Sequence, residues 1–178
     1  MSDPDFWKQQ YQHAWAKASE REKTIKARIL NESGKQVELV GLGAGSTDFL
    51  SGTAASQGYQ KGDADLYVVG TNIFLEVTGP QSKVVRLEDP LWVRPDKVTS
   101  ARTHLPSHET WVVHWLERDG SLRVIPLNEA FFDLLDRNVF SIVHPVIRGV
   151  RETYLAIPAS HFCVKSWDAL IARLKQLP

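Results

Sequence analysis

Apolar and polar positions along the chain alternate in blocks, and their spacing predicts the elements. A helical pattern runs from Pro4 to about Asn31, with Asp3 as the capping residue, Pro4 at the first helical position and Ser33-Gly34 as the stop. In its second half Ala18, Ile25 and Ile29 fall on one stripe. Glu22 lies in that stripe and Glu20 off it, so Glu22 is the carboxylate expected to point inward. A break near Ala18-Ser19 would divide the segment into two helices. Val37 to Leu42 reads as a strand entering Gly43-Ala44-Gly45-Ser46, and Thr47 to Gln60 as a loop with a short strand around Phe49-Leu50.

Two apolar runs, Leu66 to Val69 and Ile73 to Leu75, flank Gly70-Thr71-Asn72 and predict a β-hairpin. Asp65 opens its first strand and Glu76 lies inside its second. Alternation puts Glu76 and Thr78 on one face and Leu75 and Val77 on the other. A carboxylate in so apolar a strand is costly to bury without a partner or a metal. The pair Asp65 and Glu76 could converge on a hard cation, which prefers oxygen ligands.

Pro80 to Pro95 reads as a loop with an apolar middle (Leu91, Trp92, Val93), followed by a helix from Pro95 to about His104, ended by Pro106. Thr110 to Leu116 and Leu122 to Leu127 read as strands joined by Arg118-Asp119-Gly120. Asn128-Glu129 caps a helix to about Arg137, Tyr154 to Pro158 reads as a strand, and Ser166 caps a last helix to Leu177. This order predicts an α/β domain with a mixed sheet.

Composition narrows the classes. The chain has 178 residues, 43% hydrophobic and 24% charged, an ordinary globular balance. Lys+Arg and Asp+Glu both number 21, so any nucleic-acid binding must come from a local patch rather than a global field. The single cysteine, Cys163, excludes an internal disulfide and a cysteine-rich zinc site. No apolar run approaches the roughly 20 residues that span a bilayer, and the first residues lack a signal-peptide apolar stretch. A cytoplasmic protein with no membrane partner is therefore expected. His104 and His108 are separated by Pro106 and cannot share a regular helical face. His161 and Cys163 read as a buried structural pair rather than a nucleophile and its base.

The order helix-Glu, strand, Gly-rich turn, Asp, Glu-x-x on the next strand, then helix and strand resembles the PD-(D/E)XK nuclease superfamily over roughly residues 20 to 127. Ala64-Asp65 stands at the family's Pro-Asp, Glu76-Val77-Thr78 at its (Asp/Glu)-x-Lys, and Glu22 at the first-helix glutamate of many members. The Gly43 to Ser46 turn is similar to that of archaeal Holliday-junction-resolvase-like members.

The resemblance implies a restriction-endonuclease-like mixed central sheet flanked by helices. It implies a nuclease-like core over residues 1–127, with residues 128–178 as a C-terminal extension packed on the same domain. It implies hydrolysis of phosphodiester bonds in DNA, including branched or structured DNA. Mg²⁺ or Mn²⁺ would be held by Asp65, Glu76 and the carbonyl of Val77, with Glu22 orienting a water or a second ion. A homodimer fits too, since cutting two strands is often shared between subunits.

Two departures stand out. Ala64 replaces the proline, which leaves the aspartate intact. Thr78 replaces the lysine, a charge that positions water and stabilises phosphate in the family. Some members carry that lysine on the following helix, where Lys97 is the candidate; Lys83 is nearer in sequence but lies in a loop. The alternative is a core without catalysis, binding nucleic acid or a partner protein.

Each residue also has a purely structural reading. Asp65 could cap a turn and Glu76 could lie on an exposed edge strand. Glu22 could pair with Lys26 on a solvated face, and Lys97 could be a surface lysine. Asp63, Asp48 and Ser46 are further candidates near the site. Lys83, Arg86, Arg94, Lys97 and Arg102 could meet phosphates, with Trp92 or Tyr59 stacking on an unpaired base.

Overall fold

A computed structural model describes residues 4–40 and 64–178, the first twelve of these as backbone only. The Gly43 to Ser46 turn, the Phe49-Leu50 strand, Asp48, Tyr59 and Asp63 lie outside the described residues.

The first element is a single helix, α1 (Pro4–Ser33), with no division at Ala18-Ser19. Gly34 ends it, taking a left-handed φ of 75° and donating its N–H to Leu30 O at 2.9 Å. Strands β1 (Val37–Leu39), β2 (Leu66–Val68) and β3 (Ile73–Thr78) follow. Next come β4 (Leu91–Val93), helix α2 (Pro95–His104), β5 (Glu109–Trp115), β6 (Leu122–Leu127) and helix α3 (Glu129–Asp136). The chain closes with β7 (Ser141–Val143), β8 (Val146–Ile147), β9 (Val150–Arg151), β10 (Tyr154–Ile157), β11 (Lys165–Ser166) and helix α4 (Trp167–Gln176).

A six-stranded sheet in the order β1-β2-β3-β5-β6-β11 forms the centre. Its pairings are antiparallel except for β3 with β5, which run parallel and are joined by the crossover through α2. The β2–β3 hairpin turns at Gly70 (φ 77°), where Thr71 N–H donates to Val68 O at 3.2 Å.

Alternation along the strands divides the side chains between two cores. Leu66, Val68, Ile73, Leu75, Trp111, Val113 and Val124 pack with Ile25 and Ile29 of α1 and with Leu170 and Leu174 of α4. On the other face Val112, Ile125 and Leu127 pack with Val98 and Ala101 of α2 and the phenylalanines Phe131 and Phe132 of α3. Asn128 accepts the Phe131 N–H at 3.0 Å and so caps α3, whereas Ser166 makes no such side-chain bond to α4.

The stretch expected as a loop with an apolar middle is instead a strand. β4 pairs with β10, and β10 with β7, in a three-stranded sheet that sends Leu91, Val93, Leu155 and Ile157 into the second core. Among the described residues no helix is long and apolar enough to cross a membrane.

Candidate active site

The site is built where β2 starts beside the second half of β3. The hairpin register pairs Leu66 with Leu75, so Asp65 stands opposite Glu76. Asp65 is tied down twice: its N–H donates to Leu75 O at 3.1 Å, and its Oδ2 accepts the Val77 N–H at 2.9 Å. Glu76 lies on an interior strand with only 6% of its surface exposed. The edge-strand reading therefore fails.

Lys97 arrives from the crossover. Pro95 at the start of α2 sets the helix going, and Val98 and Ala101 bury one stripe of it against the sheet. That docking brings Lys97 Nζ within 3.1 Å of Glu76 Oε2, with 17% and 8% of the two side chains exposed. Lys97 is no solvated surface lysine. Lys83, by contrast, is exposed in the loop.

The electrostatics follow from burial. Burial, and then the neighbouring Asp65 charge, hold the Glu76 carboxyl well above the usual carboxylate range, against the pull of Lys97 and Arg94. Burial also raises Asp65, opposed by Lys97, the Val77 N–H and Arg94. Burial works against the Lys97 charge, but Glu76 and Asp65 outweigh it and hold the ammonium above the usual lysine range. The buried Glu76 and the half-buried Asp65 thus share the field of one lysine and one arginine.

Such a pair is an oxygen donor set short of positive charge, which is what a hard divalent cation relieves. The residues present fit one. Among the described residues, however, no three His, Cys, Asp or Glu side chains converge as a metal-binding group.

Glu22 is 4% exposed, so the solvated-face reading fails for it as well. Its helix packs on the Leu75 face of the sheet, opposite the face of Glu76. The adjacent Arg21 locates this part of α1 at the end of β3, donating to Gly79 O at 3.3 Å, Pro80 O at 2.7 Å and Glu117 Oε2 at 2.8 Å.

Thr78 ends β3 on the Glu76 face, and in the parallel register it stands beside His114 of β5. His114 in turn stands beside Arg123 of β6, giving a polar row across the sheet. Arg123 donates to Leu87 O and Asp89 O, each at 2.7 Å, and lies 3.2 Å from His114 Nδ1. Burial, and then the charges of Arg123 and Arg21, push His114 down to about 3, so its ring is neutral at ordinary pH. This row anchors the loop after β3, and reading from sequence missed it. The signal was there: a histidine in Thr-Trp-Val-Val-His-Trp breaks an apolar strand as Glu76 does.

Of the other basic candidates, Arg94 acts on the carboxylate pair, whereas Arg102 is spent on a two-pronged surface pair with Asp136 at 2.8 and 2.6 Å. Cys163 is buried in the second core, 3.1 Å from His161 Nδ1, and burial pushes its thiol up to about 11. It is structural, as expected.

A mixed sheet covered by helices on both faces, with an acidic hairpin feeding a parallel crossover, is the restriction-endonuclease-like fold. Among solved structures, Hjc of Archaeoglobus fulgidus, a Holliday junction resolvase from an archaeal hyperthermophile, is similar with a TM-score of 0.50 and 12% identity, over 88% of this chain and 96% of that one. D212, a nuclease from a fusselovirus, has a TM-score of 0.46 and 16% identity over 99% and 95%. No family model and no curated protein matches the chain. At such identities the likeness to Hjc establishes the fold, and the resemblance read from the sequence holds at that level.

Proposed function

We propose that this chain is a metal-dependent nuclease that hydrolyses phosphodiester bonds in DNA. The observation that carries the reading is Lys97: the ammonium missing at Thr78 is restored at Glu76 from the next helix. Asp65, Glu76 and the carbonyl of Val77 would hold Mg²⁺ or Mn²⁺. The ion would supply a water acidic enough to attack at neutral pH and positive charge for the phosphate.

The chain's own residues do the rest. Asp65 is fixed by its bond from Val77 N–H, so the acidic pair is set before substrate arrives. Lys97 offers a buried positive charge beside Glu76, where negative charge develops on a phosphate. The water-orienting role expected for Glu22 is not carried into this proposal, because its helix packs on the sheet face opposite Glu76 and no three acids converge among the described residues.

Residues 1–127 are read as the catalytic core. Residues 128–178 complete it through β11 and α4 and expose Val139 and Ile142 to a second copy in a homodimer. Light scattering that finds a concentration-independent monomer refutes the dimer.

The test of function is cleavage of plasmid and four-way-junction DNA with Mg²⁺ or Mn²⁺, by the wild type and Glu76→Ala. Metal-dependent nicking that Glu76→Ala loses by at least about 100-fold supports the assignment. Cleavage that survives the substitution removes it. Salt-sensitive DNA binding with no turnover by the wild type supports the non-cutting module instead.

A further inference from the structure

A cavity of about 680 Å³ opens where β3 leaves the carboxylate pair, within the range of roughly 300–1,000 Å³ typical of small-molecule sites. Thr78 and Gly79 form one wall of it. Another is aromatic. On the small sheet Leu91, Val93, Leu155 and Ile157 face the core, so the alternate positions Trp92 and Tyr154 face out. Their rings stack, with centroids 5.7 Å apart and planes 25° from parallel, and Trp92 remains 40% exposed.

The β8–β9 hairpin closes a further side with Ile147 and Val150. Its turn places Arg148 and Gly149 at φ 51° and 77°, the two left-handed positions of a tight hairpin turn. From it Arg148 donates to Gln81 of the loop after β3 and so spans the two parts of the cavity wall.

One guanidinium, that of Arg148, stands in the cavity wall, and a second, Arg94, neighbours the carboxylate pair. Arg94, half exposed and paired with Asp96 at 2.8 Å, acts on the Tyr154 hydroxyl as well as on Asp65 and Glu76. Arg148 also acts on Tyr154, with which it lines the cavity. The acidic groups in the wall are already engaged: Asp89 Oδ2 accepts the Arg86 N–H at 2.8 Å, and Glu152 accepts the Tyr154 hydroxyl.

We propose that this cavity takes one unpaired nucleobase of the DNA strand being cut, stacked on Trp92 against Tyr154, beside a backbone phosphate held near Arg94 and the carboxylates. The inference rests on the nuclease reading and specifies its substrate as DNA with an unstacked base. The chemistry of the wall favours a base: a flat aromatic side, the guanidinium of Arg148, an amide and a hydroxyl (Gln81, Ser82) able to bond a base edge, and a side shared with the strand of Glu76.

The experiment uses the full chain in EDTA and a duplex carrying 2-aminopurine either as a single-nucleotide bulge or fully paired. The wild type is expected to bind the bulged duplex more tightly and to quench its 2-aminopurine emission. Trp92→Ala is expected to weaken bulge binding by roughly 5- to 150-fold, the worth of one base stack, while Trp92→Phe keeps most of it. Should Trp92→Ala fail to fold by circular dichroism, quenching by the wild type and by Trp92→Phe decides. Equal affinity for both duplexes, or no quenching by the wild type, overturns the base site. Cleavage of DNA by the wild type in Mg²⁺ is scored separately: its absence with quenching intact sinks the nuclease reading and leaves the base site standing.

Discussion

Lys97 and Glu76 are 21 residues apart in sequence, yet the ammonium of one lies 3.1 Å from a carboxylate oxygen of the other, both largely withdrawn from solvent. Neither side chain is buried at low cost alone; each is the other's charge compensation. The same contact puts a positive charge where Thr78 has none.

Removing that charge is expected to affect both activity and folding. Lys97→Met should lower kcat by about 100- to 1,000-fold, the loss typical of one electrostatic catalytic group. Without the lysine, Glu76 can stay neutral only by keeping its proton. The stability loss should therefore be small at pH 4 and grow as pH rises, towards about 3–5 kcal/mol for a broken buried pair. Urea melts at pH 4, 6 and 8 read this directly, and a pH-independent loss contradicts it.

Glu76 itself should be a liability in the metal-free protein. Its folded-state pKa is raised, so the native state binds more protons than the unfolded one, and stability falls as pH climbs from the usual carboxylate value through the raised one. Glu76→Gln should consequently flatten the fall of Tm in EDTA between pH 4 and pH 8, because the group whose pKa is raised is gone.

Divalent metal should act through the same carboxyl. At a hundred times its Kd, a ligand adds about 2.7 kcal/mol, which for a chain of this size is roughly 5–10 °C in Tm. Mn²⁺ should give such a shift to the wild type and not to Glu76→Gln. The wild-type shift should also weaken as pH falls, because the carboxyl must lose its proton to bind. Equal shifts in both proteins would detach the metal from this pair.

If the lysine has moved from strand to helix, the move should be reversible. Thr78→Lys should restore part of the cleavage lost in Lys97→Met, since position 78 shares the Glu76 face of β3. Initial rates for both single variants and the double variant make the comparison. A double variant no better than Lys97→Met argues against equivalent positions.

Gly79 should tolerate no side chain. It adopts φ 146°, and a Cβ there would come within 2.0 Å of the Trp115 carbonyl oxygen. Gly79→Ala is expected to cost roughly 2–5 kcal/mol from strain and overpacking together, seen as a lowered denaturation midpoint.

The hairpin was legible from sequence because it is local: two apolar runs, a Gly-Thr-Asn turn and strict alternation leave Glu76 on the face away from Leu75. Lys97 was legible because Pro95 marks a helix start and the family resemblance supplied a reason to look there. β4 was not legible. Three apolar residues between prolines become a strand only by pairing with β10, more than 60 residues later, and no local signal carries that pairing. The polar row from Thr78 through His114 to Arg123 was hidden for the same reason, since it exists only once β3, β5 and β6 are in register. The cavity beside Trp92 likewise needs distant contacts, with Trp92 meaning little until the β4–β10 pairing lays Tyr154 against it.

The parallel pairing of β3 with β5 bears on the chain's biosynthesis. During translation the acidic hairpin leaves the ribosome well before β5 and β6, and α2 has no sheet face to dock on until those strands exist. A half-made polypeptide therefore carries acids without their ammonium. The contact of Lys97 with Glu76 forms only after the crossover has closed on the finished sheet.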